Sequence, residues 1–172
     1  MDFLEVVRTR SSVRDYDPSR PVARPVLERI LEAGRLAPSA ANRQPWRFLV
    51  ISSPEGLAKV RRCYAKPWFH DAPHVLAVVG SAKAAWTRQA DGWNSLETDL
   101  TIAMDHLVLA AANEGVGTCW IANFKPDELR AALGLDDDQR VFAVTPLGYP
   151  RQGADAGRLK ERKAFDEVVE FR

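Results

Sequence analysis

Arg10, Ser11, Ser12 and Arg14 place two guanidinium groups and two hydroxyls within five residues, and near the other end of the chain Lys160, Arg162 and Lys163 add three cations around Glu161. Guanidinium and ammonium groups form charge-assisted hydrogen bonds with phosphoryl oxygens, and a serine hydroxyl can donate beside them. Such a set fits a phosphate-bearing ligand. Exposed arginine and lysine are also the usual covering of a solvated surface, so the residue types alone leave both readings open. On an extended segment Lys160 and Arg162 point to one side and Lys163 points elsewhere. A second polar set, Pro38, Ser39, Ala40, Asn42 and Gln44, offers hydroxyl, amide and backbone groups. These are the directional donors and acceptors that the edge of a planar heteroaromatic ring needs, although Asn42 and Gln44 can equally serve to satisfy loop backbone. Gly115 and Gly117 allow a tight turn and close backbone approach to a ligand, but they lack the further glycine and the strand-turn-helix setting of a dinucleotide fingerprint.

Other chemistries lack a frame. Ser39 and Ser81 stand outside a nucleophile-elbow pattern, and Cys119 has no histidine nearby in sequence to activate it, so no catalytic nucleophile is assigned. His70 and His74 are four apart, but Pro73 breaks the helix that would juxtapose them, and His106 reads as structural; no metal is expected. The two cysteines, Cys63 and Cys119, have neither CxxC neighbours nor paired histidines, which argues against a disulfide framework and a closed zinc site. With 24 Lys plus Arg against 23 Asp plus Glu, the formal charge of +1 gives no general attraction to nucleic acid or anionic lipid. No apolar run approaches about 18 residues and no signal-type segment is evident, so no membrane partner and a cytoplasmic location are expected.

The elements that must hold these groups follow from periodicity. A short helix is predicted over Met1 to Arg10, then a turn at DYDPSRP, and a helix from Pro25 to Ala37 that Pro38 ends. The polar loop 37–45 lies between that helix and a strand from Trp46 to Ile51. Ser53-Pro54 can cap and start a helix through Leu57 and Val60, and Val75 to Val79 reads as a buried strand after an aromatic, turn-rich link from Tyr64 to Pro73. Residues 82–97 give no clear element. Thr98 to Glu114 is the strongest helix candidate, and its apolar coverage is too broad for packing on one side only, which leaves a central core position or a subunit interface. Thr118 to Ile121 and Val141 to Leu147 read as strands, with Pro146 pointing to an edge or a bulge, and Lys125 to Leu133 as a helix stopped by Gly134. A loop, GYPRQGADAG, precedes the basic stretch from Arg158 to Lys163. With 172 residues, 46% hydrophobic, and no repeat or long linker, one α+β domain over 1–172 is the economical expectation.

The ordered pieces Arg10-Ser11-Ser12-Val13-Arg14, Ala37-Pro38-Ser39-Ala40-Ala41-Asn42-Arg43-Gln44-Pro45-Trp46, Gly115-Val116-Gly117-Thr118-Cys119-Trp120-Ile121, Gly148-Tyr149-Pro150 and Lys160-Glu161-Arg162 resemble the signatures of the nitroreductase family, across nearly the whole chain. The resemblance implies a three-layer α+β sandwich with a central, mainly antiparallel sheet, assembled as an interlocked homodimer with two FMN sites at the interface. It further implies that Arg10, Ser12, Lys160 and Arg162 address the FMN phosphate and that Arg14 lies at the pyrimidine side of the ring. Ser11 belongs to the same set. Pro38, Ser39, Ala40 and Asn42 would face the isoalloxazine ring, Gln44 would form or brace their loop, and Gly117 and Thr118 would lie near the flavin.

The activity implied is ping-pong electron transfer from NADH or NADPH through FMN to an electron-poor organic acceptor such as a nitroaromatic or quinone, the flavin carrying the chemistry without a metal or triad. Trp68, Phe69, Trp86 and Trp93 can either wall the acceptor pocket or pack in the core. Competing readings are another flavin-dependent reduction such as dehalogenation, an FMN-binding or storage protein without activity, and a structural homodimer whose polar motifs only cap loops.

Overall fold

The computed structural model describes residues 1–153 and 160–172. The loop expected at GYPRQGADAG falls partly, and Arg158 and Leu159 of the basic stretch wholly, outside the described residues. Four strands, β1 (Trp46–Ile51), β2 (His74–Ser81), β3 (Gly117–Thr118) and β4 (Gln139–Gly148), form one antiparallel sheet in the order β1-β2-β4-β3. Around them lie α1 (Phe3–Thr9), α2 (Arg24–Arg35), α3 (Pro54–Val60), α4 (Pro67–Asp71), α5 (Leu96–Asn113), α6 (Pro126–Leu133) and α7 (Phe165–Val168).

β2 explains the layering. Its alternate side chains point to opposite faces, so Leu76 and Val78 join α2 and α5 in one core, while Val75, Ala77 and Val79 join α3 and α6 in another. Being covered on both faces turns the strand into an uninterrupted apolar run. Helix on sheet on helix is therefore the arrangement, in agreement with the expected three-layer sandwich. α3 begins where Ser53 accepts the Gly56 amide, and α6 ends at Gly134 in the left-handed region.

Two expectations need correction. Pro146 lies in β4, which is an interior strand, opposite Val75 of β2. It is tolerated because β3 spans only two residues: its ladder with β4 covers Leu147 and Gly148, and the next amide, Cys119 N–H, goes to the Thr145 hydroxyl at 3.0 Å instead. The bulge falls elsewhere, where Val78 pairs with Ala143 and Val79 with Val141, leaving Phe142 as the extra residue. The link 64–73, read as turn-rich, holds the one-turn α4, and Phe69 is fully buried there with Trp68 and Tyr64 against it edge-on.

α5 is the long central helix and starts two residues earlier than periodicity suggested. It buries Leu96, Leu100, Ala103, Met104, Leu107, Val108 and Ala111 against the sheet and α2, while Ile102, Leu109 and Ala112 are only half-buried. The broad apolar coverage thus divides into a core face and a flank that the rest of the described chain does not cover. No described helix is long and apolar enough to cross a membrane.

His74 ties the start of β2 to the turn before α2. Its Nε2 accepts the Val22 amide at 3.0 Å, which leaves the proton on Nδ1, 2.7 Å from the Ser52 hydroxyl. Burial holds its pKa below the usual imidazole value of 6.5. A group protonated more readily when unfolded adds stability that is present above the unfolded pKa and is lost as pH falls below it. Urea unfolding at pH 7.5 and 5.5 will show the wild type losing stability on acidification, with a shallower loss in His74→Gln; equal slopes would reject this linkage.

Candidate functional site

α1 begins at Asp2, whose carboxylate accepts the Glu5 amide, and ends at Arg10, whose amide closes on the Val6 carbonyl. The chain then runs extended beside β3: Val13 N–H donates to Thr118 O at 2.8 Å, and Ser12 bridges Thr118 in parallel fashion. α5 leaves for β3 through Gly115, at φ +71, and Gly117 lies so near Val13 that a Cβ there would be 3.0 Å from its side chain. Tyr16 anchors this segment from below, its buried hydroxyl donating to Val13 O at 2.7 Å. The result is a cavity of ≈ 270 Å³ whose lining includes Arg10, Ser11, Gly115, Gly117, Thr118 and Pro150.

The carboxyl-terminal segment returns to the same place. Lys160 donates to the Val7 carbonyl in the last turn of α1. Its pKa is held below the usual lysine value, first by burial and then by the neighbouring charges of Arg10 and Arg162. Lys160 thus lies in the field of both Arg162 and Arg10, the latter 150 positions earlier in the chain, and none of the three is ion-paired among the described residues. Like charges gathered at a partly enclosed surface repel unless an anion lies among them. Arg14 is exposed and lies beside Cys119 and Tyr16; burial pushes the Cys119 thiol up, against the opposing pull of Arg14 and the Ser12 hydroxyl. The thiol stays protonated and supplies apolar packing beneath the segment.

The second polar set has its own architecture. Residues Ala40–Asn42 form one 3₁₀ turn, and Ala41, Asn42 and Gln44 have φ of 49°, 53° and 49°. Non-glycine residues in this region cost roughly 1–3 kcal/mol each and persist only where surroundings over-determine them. Here Ser39 Oγ accepts the Gln44 amide at 2.8 Å, and Gln44 Nε2 donates to the Asn42 carbonyl and Oδ1 at 3.2 and 3.0 Å. Gln44 thus braces the loop, and Asn42, exposed, keeps its amide donors free of side-chain partners among the described residues. Pro38 is also exposed; Ser39 and Ala40 are half-buried. Beneath the loop Pro45 O accepts the Ser81 amide at 3.3 Å and rests on Gly80, where a Cβ would come within 2.6 Å of it.

Asp99 was missed by the sequence reading. It is a buried carboxylate on the core face of α5, and its Oδ1 accepts the Ala40 amide at 2.8 Å while Oδ2 accepts the Ser95 hydroxyl at 2.7 Å. The available signal was an acid at position 99 amid Leu96, Leu100 and Ala103, a polar residue on an otherwise apolar face.

Within one chain these two sets do not meet. The loop 38–44 is tied to Asp99 near the start of α5, whereas Arg10 shares its cavity with Ala112 and Gly115 at the other end. At 1.5 Å per residue, 13 residues of helix separate Asp99 and Ala112 by about 20 Å. Close to the loop, a larger cavity of ≈ 510 Å³ is lined by Trp93, Leu96, Leu100, Arg140 and Phe142. Segment 82–95 is a turn closed by a Thr87–Asn94 bridge, with Trp86 edge-on to Trp93, which is 43% exposed. Of the four aromatics weighed as pocket walls, Trp93 lines this cavity, whereas Trp68 and Phe69 pack in the core of the α3–α6 face. His70 Nε2 contacts the Arg61 and Tyr64 carbonyls at 3.2 and 3.1 Å, and no described cluster of His, Cys, Asp or Glu could hold a metal ion.

The model of the Nitroreductase family matches residues 7–65 and 54–149. The chain is 32% identical to an Archaeoglobus fulgidus protein provisionally named NADH dehydrogenase/NAD(P)H nitroreductase, over 97% of this chain and 96% of that one. Among solved structures it is similar to a nitroreductase family protein of Clostridium difficile 630, at TM-score 0.87 and 30% identity over 99% of this chain and 98% of that chain. It is also similar to an Exiguobacterium sibiricum protein solved in complex with FMN, at TM-score 0.85 and 25% identity over 100% of this chain and 98% of that chain.

Proposed function

The chain belongs to the nitroreductase family, and on that premise we propose that it is an FMN-dependent oxidoreductase working in the cytoplasm, which takes electrons from NADH or NADPH and delivers them to an electron-poor organic acceptor such as a nitroaromatic or quinone. The observation that carries this reading is the convergence of Arg10, Lys160 and Arg162 without a paired carboxylate among the described residues, beside Ser11, Gly117 and Thr118. Three cations and small donors match the phosphate of a mononucleotide. FMN held by a relative of the same fold, and the nicotinamide reductase name of another, support the choice.

In this reading Arg10, Ser12, Lys160 and Arg162 bind the phosphate and fix the cofactor's register. Pro38, Ser39, Ala40 and Asn42 meet the ring, Gln44 braces them, and Gly117 and Thr118 let backbone approach it closely. FMN bound there would supply the redox chemistry that links nicotinamide to acceptor. In the same reading Arg14 would offset negative charge developing on the pyrimidine side, a preorganised electrostatic contribution that moves no proton. No side chain of this chain is required as a covalent nucleophile.

Because α5 holds the two polar sets about 20 Å apart, the reading requires a homodimer in which each site takes its phosphate residues from one chain and its ring loop from the other. The uncovered flank of α5 and the exposed Phe3, Leu4, Phe165, Val168 and Phe171 supply apolar surface for that association.

Anaerobic NADH or NADPH should bleach the flavin absorbance of the purified protein stoichiometrically, and a quinone should restore it; a flavin that neither nicotinamide reduces removes the donor assignment. Mass measurement at low micromolar concentration should give twice the 19.2 kDa chain, and a monomer carrying one FMN would defeat the shared site. Arg10→Ala and Lys160→Ala each remove a charge-assisted contact of about 1.5–3 kcal/mol, so FMN affinity should fall roughly ten- to hundredfold. Fluorescence titration giving unchanged affinity in both variants would reject the phosphate assignment.

A further inference from the structure

The loop that carries Ala40, Asn42 and Gln44 has three left-handed non-glycine residues, and most of the hydrogen bonds that hold it are internal. Internal bonds shape a loop but do not aim it. Two contacts tie it to the body of the molecule, Pro45 O to the Ser81 amide at its end and Ala40 N–H to Asp99 at its start. The second comes from a residue 59 positions away, buried on the core face of α5, and its other oxygen is occupied by the Ser95 hydroxyl. A buried carboxylate is costly to desolvate, and here no cation is paired with it among the described residues. Its place in the first turn of α5 lets the positive end of the helix offset part of that cost.

We propose that Asp99 is a positioning residue for the cofactor ring: it anchors the start of loop 38–44 to α5 and sets the angle at which Pro38, Ser39, Ala40 and Asn42 present their groups. This rests on the assignment of that loop to the FMN ring. Asp99 acts through Ala40 and touches no ligand. The chemistry is that of a hydrogen-bonding brace, so charge is dispensable and geometry is not. An asparagine can accept the Ala40 amide through its oxygen and donate to the Ser95 hydroxyl through its nitrogen, whereas alanine leaves both partners without an acceptor or donor.

The holoprotein and its D99A, D99N and Arg10→Ala variants, compared by FMN titration and by the visible flavin spectrum, separate this role from general stabilisation. D99A should bind FMN at least tenfold more weakly and shift the flavin bands, while D99N should stay within about threefold of wild type with its spectrum intact. Arg10→Ala should lose affinity with the band positions unchanged, because it acts at the phosphate. Hydrogen exchange of the wild type should show the Ala40 amide protected relative to that of Ala41, a readout that does not depend on any variant folding. Wild-type affinity and bands in D99A, D99N as impaired as D99A, or a freely exchanging Ala40 amide would each overturn the proposal. A wild type that binds no FMN overturns the cofactor assignment itself, a failure separate from these.

Discussion

A straight helix cannot bring its two ends to one point, and in this chain that constraint governs everything chemical. α5 spans 18 residues across the sheet, with a strained polar loop tied to its first turn and a cluster of cations gathered at its exit. Each set is well built where it stands, the one by backbone hydrogen bonds to Ser39 and Asp99, the other by the pairing of Val13 with Thr118. The geometry of a single copy keeps them at opposite ends of α5. In the proposed reading, association through the flank of α5 is then a condition for the site rather than an addition to it.

How much of this was legible in sequence differs by element. β1 was readable to the residue because the loop prolines and Ser52-Ser53 punctuate it, and the middle of β2 because a compact apolar run rich in valine has few other uses, although the strand extends from His74 to Ser81 beyond the run 75–79. α5 was readable in kind, although its start was not: Leu96 belongs to it, but the turn residues before it blurred the boundary. The double-sided burial of β4 was hidden by Pro146, since the exemption depends on β3 ending after two residues, a fact about a neighbour in space. The bulge at Phe142 has no sequence mark at all.

The candidate site was legible as a set of motifs and illegible as an arrangement. Composition at positions 10–14 and 160–162 announces cations, but whether 150 residues of chain return them to each other is decided by the packing of β3 and β4. Resemblance to a family offered an arrangement for the candidate residues, because the ordered motifs carry their family's arrangement with them. It did not extend to Asp99, which bears no motif and touches the loop through a backbone amide. Supporting residues of this sort are recognisable chiefly as a polar side chain on an apolar face, and that signal does not say what is being supported.

Gly80 gives the loop a further property. Pro45 rests its carbonyl on this residue of β2, and Leu96 and Leu100 close in on the same point, so nothing larger than hydrogen fits between the loop and the most deeply packed strand of the sheet. A connecting segment of this exposure would ordinarily drift with solvent. Seated at Pro45 directly on the β2 backbone, this one is held at its end by the stiffness of the ladder under it, so part of its shape is set by the sheet rather than by solvent.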